Sequence, residues 1–341
     1  MSSPRQMERQ MEKSLVCGSV HGARLTDHAA GRRITAIACG FTAVEAEASA
    51  AGLLRIVQTF HRAAGDGPGP EAAGPGDRPL RAGDFAPEAY IGEGPALRAY
   101  GASSGRAYGV PAEIALPLPL HATRHTHGLA GTEYQAPGSG PPDNRPGGRP
   151  SSVASIESVA SLVGPTVADV LAADIAVRWW QRPRPRLVRL APRRLLPESV
   201  MAVSDAHGLS VEAFCWLQLP FTVVLSVIHA GGGAAAGFGV AAGSGPRQAL
   251  RAAFLRAHAA RLAGWREGGP HLDLLRLNVQ RGLAVPRRPV TDWVEQAHRR
   301  FGHEPLVVPF AAPDGGRVVK VLCPGAAVHH PPSVARPDCP L

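Results

Sequence analysis

Residues 164–180, GPTVADVLAADIAVRWW, constrain the fold of this chain more than any other stretch. Asp174 and Arg178 are four positions apart, and opposite charges at that spacing support a helix modestly. The stretch ends in two aromatic residues, Trp179 and Trp180. Its apolar residues recur at the spacing that places side chains on one side of an α-helix. They are Val167, Val170, Leu171, Ile175 and Trp179. The pattern predicts a half-buried helix with an aromatic anchor at its C-terminal end.

The composition is that of a globular protein rich in arginine. The chain has 341 residues, of which 45% are hydrophobic and 18% charged, and its formal net charge is +9. This length suffices for one large domain or two ordinary ones. Only Lys13 and Lys320 are lysines, so almost all of the positive charge is arginine. Because a GC-rich genome also encodes such a composition, the charge alone is weak support for a nucleic-acid partner.

Cysteine spacing and hydropathy predict a cytoplasmic protein that does not enter the membrane. The five cysteines are widely spaced and include no C-x-x-C pair, which is typical of reduced thiols. The N-terminal residues carry charges throughout, so we expect no signal peptide. The apolar run 217–228 is shorter than the ~20 residues of a membrane-spanning helix. We interpret it as a buried strand followed by a glycine loop.

A capping box marks the start of a first long helix. Thr42 and Glu45 are spaced so that each side chain can accept a free backbone N–H of the first turn. Two short strands, 15–20 and 33–39, precede this helix. Its apolar stripe consists of Ala46, Ala50, Leu53, Val57 and Phe60. The sequence therefore predicts two strands followed by a helix that packs on them.

Three further elements are predicted near the C-terminus. Ser244 or Gly245 can cap a helix with Pro246 in its first turn, where a missing N–H costs nothing. A second capped helix covers 292–300 and ends at a glycine. The Pro-Asp-Gly-Gly sequence at 313–316 is a strong hairpin signal between strands 306–310 and 317–322. The buried stripe of the first of these helices is Leu250, Ala253, Phe254 and Ala257.

Three helices and one strand resemble, in the same order, the motifs of the YcaO family. The segment from Gly40 resembles the family's first acidic helix, G-x-x-T, then E-A, A-S-A and E-x-x-E-R. The end of 164–180 resembles the second, E-x-x-E-R-D-A and then W-W. The glycine run before Pro246, with Ala249 and Leu250, resembles the third, G-x-G-x-x-P-x-x-A-L. RVVKVLCPG, from Arg317, resembles the signature V-V-K-V-L-x-P-G.

The resemblance implies an α+β fold in which antiparallel sheets are flanked by helices around one nucleotide cleft. Family members use ATP and Mg²⁺ to phosphorylate a peptide backbone amide oxygen after attack by a Cys, Ser or Thr side chain, which yields an azoline. This chemistry belongs to ribosomal peptide natural-product pathways, including those of azole- and thiazole-containing bacteriocins. The implied organisation is an N-terminal segment (1–32), a YcaO-like domain (33–330) with Gly/Pro-rich loops at 64–79 and 136–150, and a proline-containing tail (331–341).

The chain departs from the family at the acids that hold magnesium. Magnesium requires oxygen ligands, and an arginine in place of an acid repels the ion. The resemblance leaves Ser49 and Asp169 as residual nucleotide-binding residues, with no assigned metal ligand and no assigned catalytic residue. The residues at the family's other polar positions are Leu53, Ile56, Val57, Ala172, Ala173, Arg256 and Ala259.

Two main hypotheses follow for the function. The first is a catalytically degenerate YcaO-like scaffold or peptide-binding partner of a modifying complex, and mechanism favours it because phosphoryl transfer needs metal ions. The second is an active ATP-dependent cyclodehydratase with relocated ligands. The implied partners are a precursor peptide and either a leader-binding protein, a second YcaO protein or a second copy of this chain. An arginine-rich nucleic-acid binder ranks below both.

Two other motifs could form a binding site, but we interpret both as parts of the fold without a ligand. Residues 178–194 contain seven arginines and no acid, which suits either a phosphate-binding or leader-binding patch or a solvated loop stiffened by proline. We favour the loop, because aromatic residues stop at Trp180. His121, His125 and His127 could share a zinc ion, but no carboxylate or cysteine joins them at ligand spacing.

Overall fold

The computed structural model describes most of the chain between residues 15 and 327. The described ranges are 15–17, 20–29, 32–63, 70–85, 96–115, 132–135, 156–183, 186–216, 221–231, 235–263, 275–276, 278–280, 290, 292–312 and 316–327. The three-histidine motif, the 136–150 loop and the 331–341 tail lie outside these ranges. The predicted α+β class is confirmed, with three sheets that are antiparallel except for two short parallel pairs.

Sheet 1 is formed by the first three strands in sequence order. They are β1 (Leu15–Cys17), β2 (Val20–Ala29) and β3 (Arg32–Gly40). The sequence predicted β1 and β3 but missed β2. Its inward positions include Ala23, a small residue with weak strand propensity, so the alternation was inconspicuous. Helix α1 (Ala43–Ala63) follows at once and packs on this sheet.

Sheet 2 has the strand order β4-β6-β5-β13-β14-β7. Its predicted hairpin is confirmed, since Leu306 pairs with Leu322 in antiparallel register. Gly74 N–H donates to Asp77, whose carboxylate also binds Arg98, so the second half of the 64–79 loop is fixed to this sheet. The strands are β4 (Arg78–Pro79), β5 (Ala96–Gly101), β6 (Ala107–Pro111), β7 (Thr132–Gln135), β13 (Leu306–Ala311) and β14 (Arg317–Leu322).

Sheet 3 has the order β11-β10-β9-β8-β12 and is covered on both faces. Every residue of its strand β10 is buried, which confirms the interpretation of 217–228 for the described residues. The glycine loop predicted at the triplet 231–233 lies mostly outside the described residues, and the sequence missed the strand that begins at Ala235. The strands are β8 (Leu187–Arg189), β9 (Ser210–Trp216), β10 (Thr222–His229), β11 (Ala235–Gly243) and β12 (Val279–Gln280).

Three long helices alternate with the three sheets. Helix α4 (Ile156–Gln181) packs between sheets 3 and 2, α1 between sheets 2 and 1, and α7 (Pro246–Leu262) between sheets 1 and 3. These are the three helices that resemble the family's motifs. The shorter helices are α2 (Ala82–Phe85), α3 (Ala112–Ala115), α5 (Pro192–Leu195), α6 (Glu198–Ala206) and α8 (Trp293–Phe301).

Helix α4 is longer and more deeply buried than its sequence predicted. It begins at Ile156 rather than near 164, and Pro165 lies inside it. The predicted stripe is buried, but so are residues on its other sides, including Ala172 and Asp174. The expectation of a half-buried helix is therefore wrong. Because the two sheets cover most of this helix, a single buried stripe does not describe it.

The predicted helix caps are confirmed. Glu45 N–H donates to Thr42 Oγ1 over 3.1 Å, and the Glu45 carboxylate accepts from the N–H of Thr42 over 3.3 Å. Asp292 accepts from the N–H of Glu295 over 2.9 Å at the start of α8, and Gly302 ends that helix with φ of 76°. Local spacing alone determined these features.

Candidate functional site

Helices α4 and α7 lie on opposite faces of sheet 3 and meet beyond its edge strand β11. Arg256 Nη2 of α7 donates to Asp169 Oδ2 of α4 over 2.5 Å. Arg256 Nη1 donates to the carbonyl of Val240 in β11 over 2.7 Å. The side chains are 37% and 32% exposed respectively, so water reaches the pair. We call this contact the α4–α7 seam.

Glycines in β11 explain how α7 comes so close to the strand. A Cβ at Gly239 would lie 2.2 Å from the carbonyl oxygen of Ala253, and one at Gly237 would lie 2.1 Å from that of Ala257. Any side chain there would push α7 away. The bare backbone therefore lets α7 rest on β11, which brings Arg256 to the edge of the sheet and within reach of Asp169.

On α1, the residues at the family's acidic positions are part of the hydrophobic core. Ile56 is buried against sheet 2 in the cluster that contains Phe60 and Phe310. Val57 is buried against sheet 1 beside Ala36. Leu53 is partly buried beside them. These positions stabilise the fold by burying hydrocarbon, and hydrocarbon cannot bind a hard cation.

The two residual nucleotide-binding residues predicted from the resemblance lie in different surroundings. Ser49 is exposed on α1, whereas Asp169 lies in the seam, where its described partner is Arg256. On α4 the neighbouring family positions, Ala172 and Ala173, are buried methyl groups. The charged partner of Asp169 in the described part of the structure is therefore the guanidinium group of Arg256.

A second carboxylate of α4, Asp174, is fully buried and has three donors. Arg178 Nε and the N–H of Ala327 donate to its Oδ1 over 2.8 and 2.7 Å, and Arg300 Nε donates to Oδ2 over 2.8 Å. Arg178 also donates to the carbonyl of Gly325 over 2.6 Å. This Asp174 cluster joins α4, α8 and the turn after β14. The sequence showed only the Asp174–Arg178 pair.

A third carboxylate, Glu212 of β9, was missed because its partners are distant in sequence. His229 Nε2 lies 2.9 Å from its Oε2, and Arg189 and Arg276 donate over 2.7 and 3.1 Å. The hydrogen bond from His229, followed by Arg276, lowers the pKa of Glu212 to about 2 against the opposing effect of burial. No local motif links these residues.

The arginine-rich segment 178–194 is not the continuous loop that its proline content predicted. It contains β8 and α5, and several of its arginines are bound to acids elsewhere in the fold. Arg189 binds Glu212, and Arg193 binds Asp205 over 2.6 Å. Part of the positive charge of this segment is therefore neutralised within the protein.

The lysine of the C-terminal signature, Lys320, is partly buried in β14. Lys320 Nζ donates to the carbonyl of Ile114 over 2.7 Å, and burial lowers its pKa to about 8. It projects toward the side of sheet 2 that faces α1, as do Val318 and Leu322. Its described bond ties α3 to this sheet.

The three sheets and interleaved helices define the fold of a YcaO-like protein. The structure is similar to YcaO from Methanopyrus kandleri bound with AMPPCP and Mg²⁺, at 15% identity and a TM-score of 0.63, over 92% of this chain and 84% of that one. It is also similar to a heterocyclase in complex with substrate and cofactor, at 13% identity and a TM-score of 0.66, over 93% of this chain. The match covers 49% of the heterocyclase, so this chain spans about half its length.

Sequence comparisons add no further identification. No family model matches the chain, and no curated protein matches it. Among the residues that the structure describes, none of the helices has the length and apolar character needed to cross a bilayer. The likeness to the two solved structures therefore defines the fold.

The side chains at the expected nucleotide site do not fit a magnesium–ATP complex. At the positions that the resemblance aligns with the family's acids, α1 has packed hydrocarbon and α4 has buried methyl groups. On α7, Arg256 provides a positive charge where the resemblance places an acid. Its guanidinium already donates a hydrogen bond to Asp169. A divalent cation next to this guanidinium would meet repulsion rather than coordination.

Proposed function

We propose that this chain is a divergent YcaO-like protein of ribosomal peptide natural-product biosynthesis, of the azole- and thiazole-bacteriocin type. In this proposal it is a catalytically degenerate scaffold or peptide-binding partner of the modifying complex. The observation that carries the proposal is the Asp169–Arg256 ion pair. Its guanidinium is a cation attached to the protein at the position where the resemblance requires a ligand for a metal.

The electrostatics of the seam support loss of ATP chemistry. Phosphoryl transfer depends on metal ions that neutralise charge developing on the phosphate oxygens. Asp169 alone would be a weak magnesium ligand, and Arg256 both neutralises it and repels a second cation. The fold thus persists while the positions that would bind the metal have other chemistry.

An active ATP-dependent cyclodehydratase, using ATP and Mg²⁺, is the alternative function. It is supported by the likeness to a YcaO bound with AMPPCP and Mg²⁺. In either case the proposed partner is a precursor peptide, with a leader-binding protein, a second YcaO protein or a second copy of this chain completing the complex. We propose the cytoplasm as its location, because Cys39, Cys215 and Cys323 are buried free thiols.

Thermal unfolding with ATPγS and Mg²⁺ tests the proposal. We expect the unfolding temperature of the wild-type protein to stay constant up to millimolar nucleotide. A ligand at a hundredfold excess over its dissociation constant stabilises a fold by about 2.7 kcal/mol, which such a scan detects. A shift in the wild type that Asp169→Ala abolishes would refute the degenerate function as proposed.

The Arg256→Glu variant makes the same test sharper. It places a second carboxylate beside Asp169, and magnesium would relieve the repulsion between them. We therefore expect Mg²⁺ alone to raise the unfolding temperature of this variant but not that of the wild type. Arg194→Gln, which removes an exposed arginine elsewhere, is the matched control. Equal responses of the variant and the control would contradict the role given to Arg256.

A further inference from the structure

A half-open cavity of about 390 Å³ lies at the β4 edge of sheet 2, and none of its lining residues belongs to the α4–α7 seam. Its volume is within the roughly 300–1,000 Å³ of small-ligand pockets. The wall is built by β4, the start of α2, Tyr108 of β6 and the turn before β13. The apolar part of the lining is Pro79, Leu80, Leu306 and Pro324.

The acid at the back of this cavity is already satisfied by hydrogen bonds. Glu304 accepts from Ser104 Oγ over 2.6 Å, from Tyr108 Oη over 2.8 Å, and from the backbone N–H groups of Ser104 and Ser103 over 3.0 and 3.3 Å. Partial burial opposes its ionisation, but these bonds outweigh burial and lower its pKa. Glu304 is therefore a fixed part of the wall, and it has little remaining capacity to accept from a ligand.

The basic residues of the cavity have unused donors. Arg78 and Arg81 are both exposed, and within the described part of the chain neither guanidinium group makes a hydrogen bond or an ion pair. Asp84, also at the rim, accepts the backbone N–H of Arg81 over 2.7 Å and leaves the Arg81 side chain free. His303 adds an exposed imidazole to the same wall. The two guanidinium groups thus offer free donors at the rim, where Asp84 uses only one of its carboxylate oxygens in a described hydrogen bond.

We propose that this cavity binds an acidic peptide segment, with Arg78 and Arg81 holding a carboxylate and the apolar lining holding a neighbouring aliphatic side chain. The inference rests on the proposed peptide-binding function and assigns it a surface. A guanidinium can bind a carboxylate through two parallel hydrogen bonds, which gives geometry as well as charge. A nucleic acid fits less well, because Tyr108 is buried and its hydroxyl is bonded to Glu304, so it offers no open face for a base.

The test is fluorescence anisotropy with a fluorescein-labelled hexapeptide of alternating leucine and glutamate. We expect the wild-type protein to bind it about tenfold more tightly than the same peptide with glutamine in place of glutamate, a difference near 1.4 kcal/mol. The double variant Arg78→Gln/Arg81→Gln should lose about that factor. Arg194→Gln, which removes an equally exposed arginine elsewhere, should leave the affinity unchanged.

Several outcomes would overturn the inference. Equal weakening by the control and the double variant would mean that general basicity binds the peptide. Displacement by glutarate at the same concentration as by unlabelled peptide would mean that the cavity takes a free dicarboxylate. Tighter binding of a single-stranded oligonucleotide that the double variant abolishes would assign it to nucleic acid.

The peptide assay and the ATPγS scan fail independently. A wild-type response to ATPγS would refute the degenerate function and leave the peptide measurement valid. Absence of peptide binding together with absence of a nucleotide response would refute the cavity assignment alone. Both arginines are exposed, so we expect the variants to fold normally. The unfolding temperature of each variant, measured before titration and compared with that of the wild type, checks this.

Discussion

The two aspartates of α4, Asp169 and Asp174, lie five positions apart but differ in burial and in the number of their partners. Asp174 is fully buried, and two arginines and a backbone N–H bind it. Asp169 is about one-third exposed, with a single described ion-pair partner in Arg256. Asp174 thus supports the structure of the protein, whereas Asp169 forms an ion pair that water reaches.

The largest expected effect comes from removing the buried carboxylate. Asp174→Ala leaves Arg178, Arg300 and the N–H of Ala327 without their acceptor, and breaking a buried charge cluster costs about 3–5 kcal/mol. Urea unfolding measures the loss. Asp205→Ala, which breaks an exposed pair with Arg193, should cost less than about 1 kcal/mol. If the alanine variant does not fold, Asp174→Asn gives the measurement, and a loss equal to that of the control would refute the structural role.

Glu212, in strand β9, tests how much the hydrogen bonds that its carboxylate accepts contribute to the free energy of unfolding. Its folded pKa of about 2 lies below the ordinary value of 4.5. Its stabilisation is therefore complete above about pH 4.5 and disappears as the pH falls toward 2, a loss of up to about 3 kcal/mol. Glu212→Gln should flatten urea-measured stability across that range. Glu295→Gln, at an exposed helical pair, is the control and should keep the wild-type pH profile.

A change at Gly239 should open the seam without altering its charges. Alanine there requires the α7 backbone to move, since its Cβ would lie 2.2 Å from the carbonyl oxygen of Ala253. Overpacking of this kind costs about 1–3 kcal/mol in urea unfolding. In the same background, Asp169→Asn should have no further effect, because Arg256 has moved away. Gly231→Ala, where a Cβ meets nothing within 4 Å, should be neutral.

The smallest effect is expected for the seam itself. A double-mutant cycle with Asp169→Asn and Arg256→Gln should give a coupling energy below about 1 kcal/mol, because both groups reach water. The equivalent cycle with Asp174→Asn and Arg300→Gln should give a larger value. Equal coupling energies would remove the distinction between the two aspartates of α4.

Local spacing was sufficient for much of the fold. Thr42 with Glu45, Asp292 with Gly302, and the apolar stripe of α7 all act within a few residues, so the sequence predicted them. Strand β11 was missed because its glycines gain their significance from α7, which packs against them only in the folded protein. Strand β2 was missed because small inward residues gave its alternation little contrast.

The site was harder to predict than the fold because its contacts are long-range. Asp169 meets Arg256 across 87 positions, and Asp174 meets Arg300 across 126. Comparison with the family's motif shows an arginine at position 256 where an acid is expected. It does not show that this arginine neutralises the carboxylate of Asp169. The packing showed that Ile56 and Val57 belong to the core, which the resemblance did not indicate.

The Asp174 cluster also affects how the protein is made. The bond from the Ala327 N–H spans 153 positions, so the ribosome completes α4 long before the last donor to Asp174 exists. Until then the nascent chain carries an aspartate in an apolar helix without two of its three partners, which opposes early docking of α4 between its sheets. Final assembly is therefore expected after synthesis passes Ala327, and a ribosome-stalled chain ending before Arg300 should stay protease-sensitive in α4.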